Sequence, residues 1–154
     1  MEKITKEFIA THNFESDGLV FPQDATQISY RPSQGMILPP SADENMKDLR
    51  KKLSAISARK YENFAQLEIR CQINESSMRK YLKGTRNITR ESLAKFCIGS
   101  QLTVEESEEL FTLQGHSLEP AKQRFDALVV NALQDRDDIG TFFETCEEYG
   151  VKID

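Results

Sequence analysis

Between Asn74 and Gly84 the chain reads Asn-Glu-Ser-Ser-Met-Arg-Lys-Tyr-Leu-Lys-Gly. If Met78, Tyr81 and Leu82 face a core, then Glu75, Ser76, Ser77, Arg79, Lys80 and Lys83 lie on or beside the opposite face, because residues three and four apart share one side of a helix. That face suits a polyanion. An α-helix fits the major groove of DNA, where Ser76 and Lys80 can donate to base edges and Glu75 can accept from a cytosine amino group. Ser77, Arg79, Lys83, Arg86, Asn87 and Arg90 suit phosphate oxygens, as do Asn63 and the amides of the helix starts at Asn63 and Asn74.

No comparable set points to catalysis. The cysteines, Cys71, Cys97 and Cys146, are far apart and never in a C-x-x-C pair, so they read as small buried hydrophobes rather than disulfide or zinc ligands. His12 and His116 have no second ligand three or four residues on. There is no phosphate loop, G-x-S-x-G elbow or H-E-x-x-H helix. The acidic pairs Glu105-Glu106 and Asp137-Asp138 sit at helix starts, where carboxylates favour the helix dipole. No catalytic residue, metal or cofactor is expected, and an enzyme is the weakest of the function classes.

Charge is segregated along the chain. The net charge is -5, yet residues 47–95 hold 13 Lys/Arg against 5 Asp/Glu, while residues 1–46 carry -4 and residues 96–154 carry -9. One cationic face on an otherwise acidic protein is expected, which fits nucleic acid. The alternative is that these cations solvate helix faces or pair with the acidic C-terminal part. At 154 residues and 38% hydrophobic, with a mean hydropathy of -0.54, the chain suits one polar, soluble domain, or a small domain with additions. It has no run of about 18 apolar residues and no apolar signal core in its charged first ten positions, so neither a membrane span nor secretion is expected. The expected location is the cytoplasm.

The elements follow from punctuation and period. Pro22, Pro32, Pro39 and Pro40 break every helical pattern after about Phe14, so residues 1–42 read as an irregular arm. Its runs Gly18 to Phe21 and Gln27 to Tyr30 pair as a hairpin, lie extended over the body, or belong to a disordered tail. Residues 43–118 read as five helices. The first opens at a Ser41-x-x-Glu44 capping box and carries Met46, Leu49, Leu53 and Ile56 as one stripe to about Arg59. Asn63-x-x-Gln66 opens the second, with Phe64, Leu67 and Cys71 on one face, and Asn74 caps a third that stops at Gly84. Thr89 caps the fourth, with Leu93, Phe96 and Cys97; Thr103-x-x-Glu106 opens the fifth, with Leu110 and Phe111, closed by Gly115. Residues 119–154 add two amphipathic helices around Phe125 to Leu133 and Ile139 to Tyr149. The whole is an all-α fold.

The segment Leu67 to Gly84 resembles the helix-turn-helix of the XRE family, the Cro-like and phage-repressor-like DNA-binding proteins. Leu67 falls on the leucine of the family's second helix and Ile73 on the apolar turn residue. Asn74 falls on the recognition-helix cap, Met78 and Tyr81 on its buried face, and Gly84 on its terminal glycine. Thr85 to Leu93 and Leu102 to Glu106 are similar to the family's approaches to its fourth and fifth helices, and the likeness spans roughly residues 46–118. Glu68 stands where the family has a small alanine and must find an arginine or reach solvent. Gln72 replaces the turn glycine, at a cost on the order of 1 kcal/mol in a left-handed conformation.

The resemblance implies a five-helix repressor-like domain in a sequence-specific, duplex-DNA-binding transcriptional regulator that acts by occupying an operator. A homodimer reading two half-sites is the expected form, with Leu128, Val129, Phe142 and Phe143 the candidates for its contact, unless those faces complete the monomer core. The alternative function is a protein-interaction module on the same scaffold, an antitoxin or mobile-element inhibitor. It would engage a protein partner through the arm or the acidic C-terminal part.

Overall fold

The computed structural model describes residues 2–18 and 40–153, residues 40–43 by backbone alone. Short polar side chains set most of the helix starts. Asn63 accepts from the Gln66 amide at 3.0 Å, Asn74 from Ser77 at 2.8 Å, Thr89 from Ser92 at 3.1 Å and Thr103 from Glu106 at 3.1 Å. Each satisfies an amide that the helix leaves unpaired. In chain order the helices are α1 (Lys6–Thr11), α2 (Pro40–Lys60), α3 (Phe64–Cys71), α4 (Glu75–Lys83), α5 (Arg90–Gly99), α6 (Val104–Gln114), α7 (Arg124–Asp135) and α8 (Ile139–Glu148). The described residues contain no strand, only one parallel bridge between Ser16 and Gln123. None of the helices is long and apolar enough to cross a membrane.

The capping box at Thr103 is complete, with Glu106 returning to the Thr103 amide at 2.9 Å. The one expected at Asn63 is displaced by a residue, because Gln66 reaches the amide of Glu62 instead. Gly84 and Gly115 end α4 and α6 in the left-handed conformation, as their positions predict. The hairpin pairing of residues 18–21 with 27–30 lies outside the described residues, whereas α2 already includes Pro40 and Ser41, so the helix starts ahead of the capping box expected at Ser41.

One apolar core runs from Ile4 to Val151 through every helix. Its centre is α7, buried at every position from Phe125 to Leu133. This corrects the expected dimer contact. Leu128, Val129 and Phe142 are at most 1% exposed and pack inside the chain's own core, while Phe143 is half-buried against it. A helix apolar on most sides needs partners all round, and α5, α6, α8 and α1 supply them.

The described part of the arm, residues 2–18, packs against α7 and includes the helix α1. Thr5 caps α1, and Asn131 donates to the Ile4 carbonyl at 2.7 Å while Gln134 accepts from its amide at 2.8 Å. Lys3 pairs with Asp135, His12 donates to the Ala121 carbonyl at 2.7 Å, and the amides of Arg124 and Phe125 donate to Ser16 and Asp17 at 2.9 and 2.8 Å. The last two bonds take up two of the free amides at the start of α7, which has no side-chain cap of its own.

Candidate nucleic-acid interface

The turn between α3 and α4 is built without glycine. Gln72 takes φ 56 and ψ 41, a left-handed geometry, and its side-chain amide donates to the Ile69 carbonyl at 3.0 Å. Ile73 then drops into the core at 3% exposure. Glu68 resolves its conflict by leaving the helix interface: it is exposed, and its carboxylate accepts from the Glu75 amide at 3.0 Å. Two side chains, Glu68 and Asn74, therefore cap α4.

A close helix approach lies elsewhere, where α5 crosses the end of α3. A Cβ on Gly99 would stand 2.4 Å from the Arg70 carbonyl and 2.6 Å from Cys71 Sγ. Beside this crossing, the Tyr61 hydroxyl meets Ser100 Oγ at 2.8 Å and Cys71 Sγ at 3.2 Å. Burial pushes both the phenol and the Cys71 thiol above their ordinary values, and it raises Cys97 and Cys146 to about 12. All three thiols are buried and stay protonated, as small hydrophobes do.

On α4, Met78 and Tyr81 are buried, at 0% and 5%, and Leu82 is half-buried against the core. Ser76, Arg79, Lys80 and Lys83 are exposed, and Glu75 and Ser77 are half-buried. Asn63, Arg86 and Asn87 are exposed as well. Glu75 is already neutralised: Arg79 binds it through Nε at 2.8 Å and Nη2 at 2.6 Å. The guanidinium also lies 4.4 Å from the Phe64 ring centre, which draws it towards the start of α3. Phe64 thus supplies a platform.

Arg90 departs from its expected role. It is 5% exposed and pairs with Asp126 of α7, so it belongs to the core rather than to a phosphate. The residues before it form a fixed loop. Arg50 fills the space over Gly84, lying 2.9 Å from where a Cβ would be, and Gln114 donates to the Ile88 carbonyl at 2.8 Å. Arg86 and Asn87 project from that anchored turn.

The basic block divides between two fates. Lys52 pairs with Glu109 at 2.8 Å and Arg59 with Glu106 at 3.9 Å, so acidic α6 takes up cations of α2. Lys80, Lys83 and Arg86 have no carboxylate partner among the described residues. Part of the excess positive charge of residues 47–95 thus lies on α4 and the turn that follows, and the rest is spread over α2 and α3, where Lys51, Lys60 and Arg70 are exposed.

Sequence reasoning passed over Ile69, which is 69% exposed. It is out of phase with Leu67 and Cys71 on α3, and that phase was the available signal. No protein-family model, curated protein or solved structure matches the chain.

Proposed function

We propose that the chain is a transcriptional regulator that binds duplex DNA in a sequence-specific way and acts by occupying an operator, with α4 in the major groove. What supports this is the side of α4 opposite Met78 and Tyr81. There Ser76, Lys80 and Lys83 are exposed beside Arg79, and Arg86 and Asn87 follow immediately after Gly84. Ser76 and Lys80 meet base edges, and Glu75 offers its remaining lone pairs to a cytosine amino group. Arg79, Lys83, Arg86, Asn87 and the start of α3 at Asn63 take phosphates, and Ser77 flanks them.

The reading needs one chain and one groove. With Leu128, Val129 and Phe142 inside the core, a two-half-site arrangement would have to use other surfaces. Without Arg90, three cationic phosphate contacts remain, Arg79, Lys83 and Arg86, and a log-log salt slope on the order of -3 follows. The test is fluorescence anisotropy with random duplex at about 50 and 200 mM salt, for which the affinity should fall roughly 40-fold. Absence of salt-sensitive binding at the lower salt rejects the reading. Selection from a random duplex pool should then return a consensus read by Ser76 and Lys80.

A further inference from the structure

A recess of about 570 Å³ opens where α3, the end of α5 and the turn from α7 to α8 meet. Its lining includes Ile69, Arg70, Gly99, Gln101, Arg136 and Gly140, and no residue of α4. Ile69 stands at its mouth as the one exposed large hydrophobic side chain among the described residues. One of its two glycines leaves the space open and the other brings two helices together. At Gly99 the backbones of α3 and α5 touch, and at Gly140 an added Cβ would meet only Asp138 Oδ1, at 3.6 Å.

The rim is fixed in advance. Gln101 and Arg136 both hold left-handed backbone, φ 56 and 58, which costs roughly 1 kcal/mol or more at a residue with a Cβ. Each is held by the other's turn. Gln101 Nε2 donates to the Asp137 carbonyl at 2.9 Å, and Arg136 Nη1 donates to the Gln101 carbonyl at 2.8 Å. A recess preformed in this way loses little entropy when it is filled.

Its charge is cationic against its surroundings. Arg70 and Arg136 are exposed in the lining against one carboxylate there, Asp138, which accepts from the Thr141 amide at 2.8 Å, so the lining is net cationic by one charge. A second copy fits poorly. A two-fold contact would set this patch against itself and bring arginines together. We propose that the recess is a docking surface for a short acidic peptide segment of another protein. An aliphatic or aromatic side chain of the peptide sits against Ile69 over Gly140, and flanking carboxylates pair with Arg70 and Arg136. A recess of this size holds a few side chains of a linear segment, which suits a short peptide and a micromolar affinity rather than a broad protein interface.

The proposal does not depend on the DNA reading, because no residue of α4 takes part. The probe is a short labelled peptide of Asp and Glu around a central Phe, with a Lys counterpart as control, followed by anisotropy on the full chain. The acidic peptide should bind and weaken with salt, and the Lys peptide should not bind. Ile69→Asp and Arg70→Glu should each weaken binding about tenfold, near 1.4 kcal/mol. Gly140→Leu, which fills the recess from a helical position, should weaken it at least as much, with thermal unfolding and random-duplex binding unchanged in all three. Equal binding of the Lys peptide, or unchanged binding by both Ile69→Asp and Gly140→Leu, overturns the proposal. So does self-association of the parent that Ile69→Asp abolishes, and so does a loss of duplex binding in Arg70→Glu without any peptide binding. If the parent binds peptide but no duplex, the DNA reading fails and this one stands.

Discussion

Arg90 and Asp126 meet at 2.7 Å between α5 and α7, with side chains 4% and 0% exposed. The same guanidinium donates to the His116 carbonyl at 2.8 Å and lies 4.8 Å from the Phe111 ring centre, and Asp126 Oδ2 also accepts from the Glu119 amide at 2.8 Å. One ion pair thus ties the helix after the candidate DNA-contacting loop to the central helix of the core. Asp126→Asn should destabilise the fold by leaving a buried guanidinium without its counter-charge, but by less than the roughly 3–5 kcal/mol typical of a broken buried pair, because burial already raises the Asp126 carboxyl more than Arg90 lowers it. Replacing both, Arg90→Met with Asp126→Leu, should cost far less than the single change. Urea unfolding of the two variants decides this; equal losses would mean that the pair itself, rather than an orphaned charge, carries the energy.

Acid should loosen specific helix ends. The Thr103 amide holds the Glu106 carboxyl below its ordinary value, and the Thr141 amide does the same for Asp138. A lowered folded value means that the stabilisation is present above the ordinary carboxylate range and is lost as pH falls through the lowered value. Hydrogen exchange at the amides of Thr103 and Thr141 should therefore accelerate in that window ahead of the core. For Asp126 the sign reverses, because burial raises its carboxyl more than Arg90 lowers it. Its contribution is full below the ordinary carboxylate range and fades as pH rises through the raised value. Asp126→Asn should remove that component from the pH profile of the urea midpoint.

Two glycines should respond in opposite directions. Gly99→Ala drives a Cβ into the Arg70 carbonyl and should cost at least about 2 kcal/mol. Gly140→Ala meets open space in a helix and should be neutral or stabilise by up to about 1 kcal/mol. Urea midpoints compare the two directly.

The α4 assignments separate by readout. Lys80→Ala should change the consensus selected from a random pool, whereas Arg86→Ala should weaken all duplexes alike and flatten the salt slope by about one. Arg90→Ala should instead lower the unfolding midpoint. If Lys80→Ala and Arg86→Ala both bind like the parent, the roles given to them are wrong.

The thiols should be silent until the chain unfolds. Cys71, Cys97 and Cys146 are buried, with the last two raised to about 12, so a thiol reagent should label none of them in the native protein and all of them in urea. Fast native labelling of any one would show that its helix opens readily.

Helix positions were legible because their signals are local. Asn63, Asn74, Thr89 and Thr103 announce starts through side chains that reach only three residues ahead, and Gly84 and Gly115 announce stops through their own backbone. The exposed side of α4 followed from the phase of Met78 and Tyr81. What failed was long-range. Nothing near Arg90 in sequence reveals an aspartate 36 residues on, and Glu68 was read against the family's alanine without the Glu75 amide seven residues away that receives it. The apolar stripes of α7 and α8 are equally compatible with a neighbour in the same chain or in another, and only packing distinguishes them.

Arg79 differs from the other cations of α4 in one respect. Held by Glu75 and laid across Phe64, its long side chain surrenders most of its rotamer freedom when the protein folds. Lys80 and Lys83, by contrast, must still be ordered when they meet an anion. Among these cations, Arg79 therefore has the least conformational freedom left to lose.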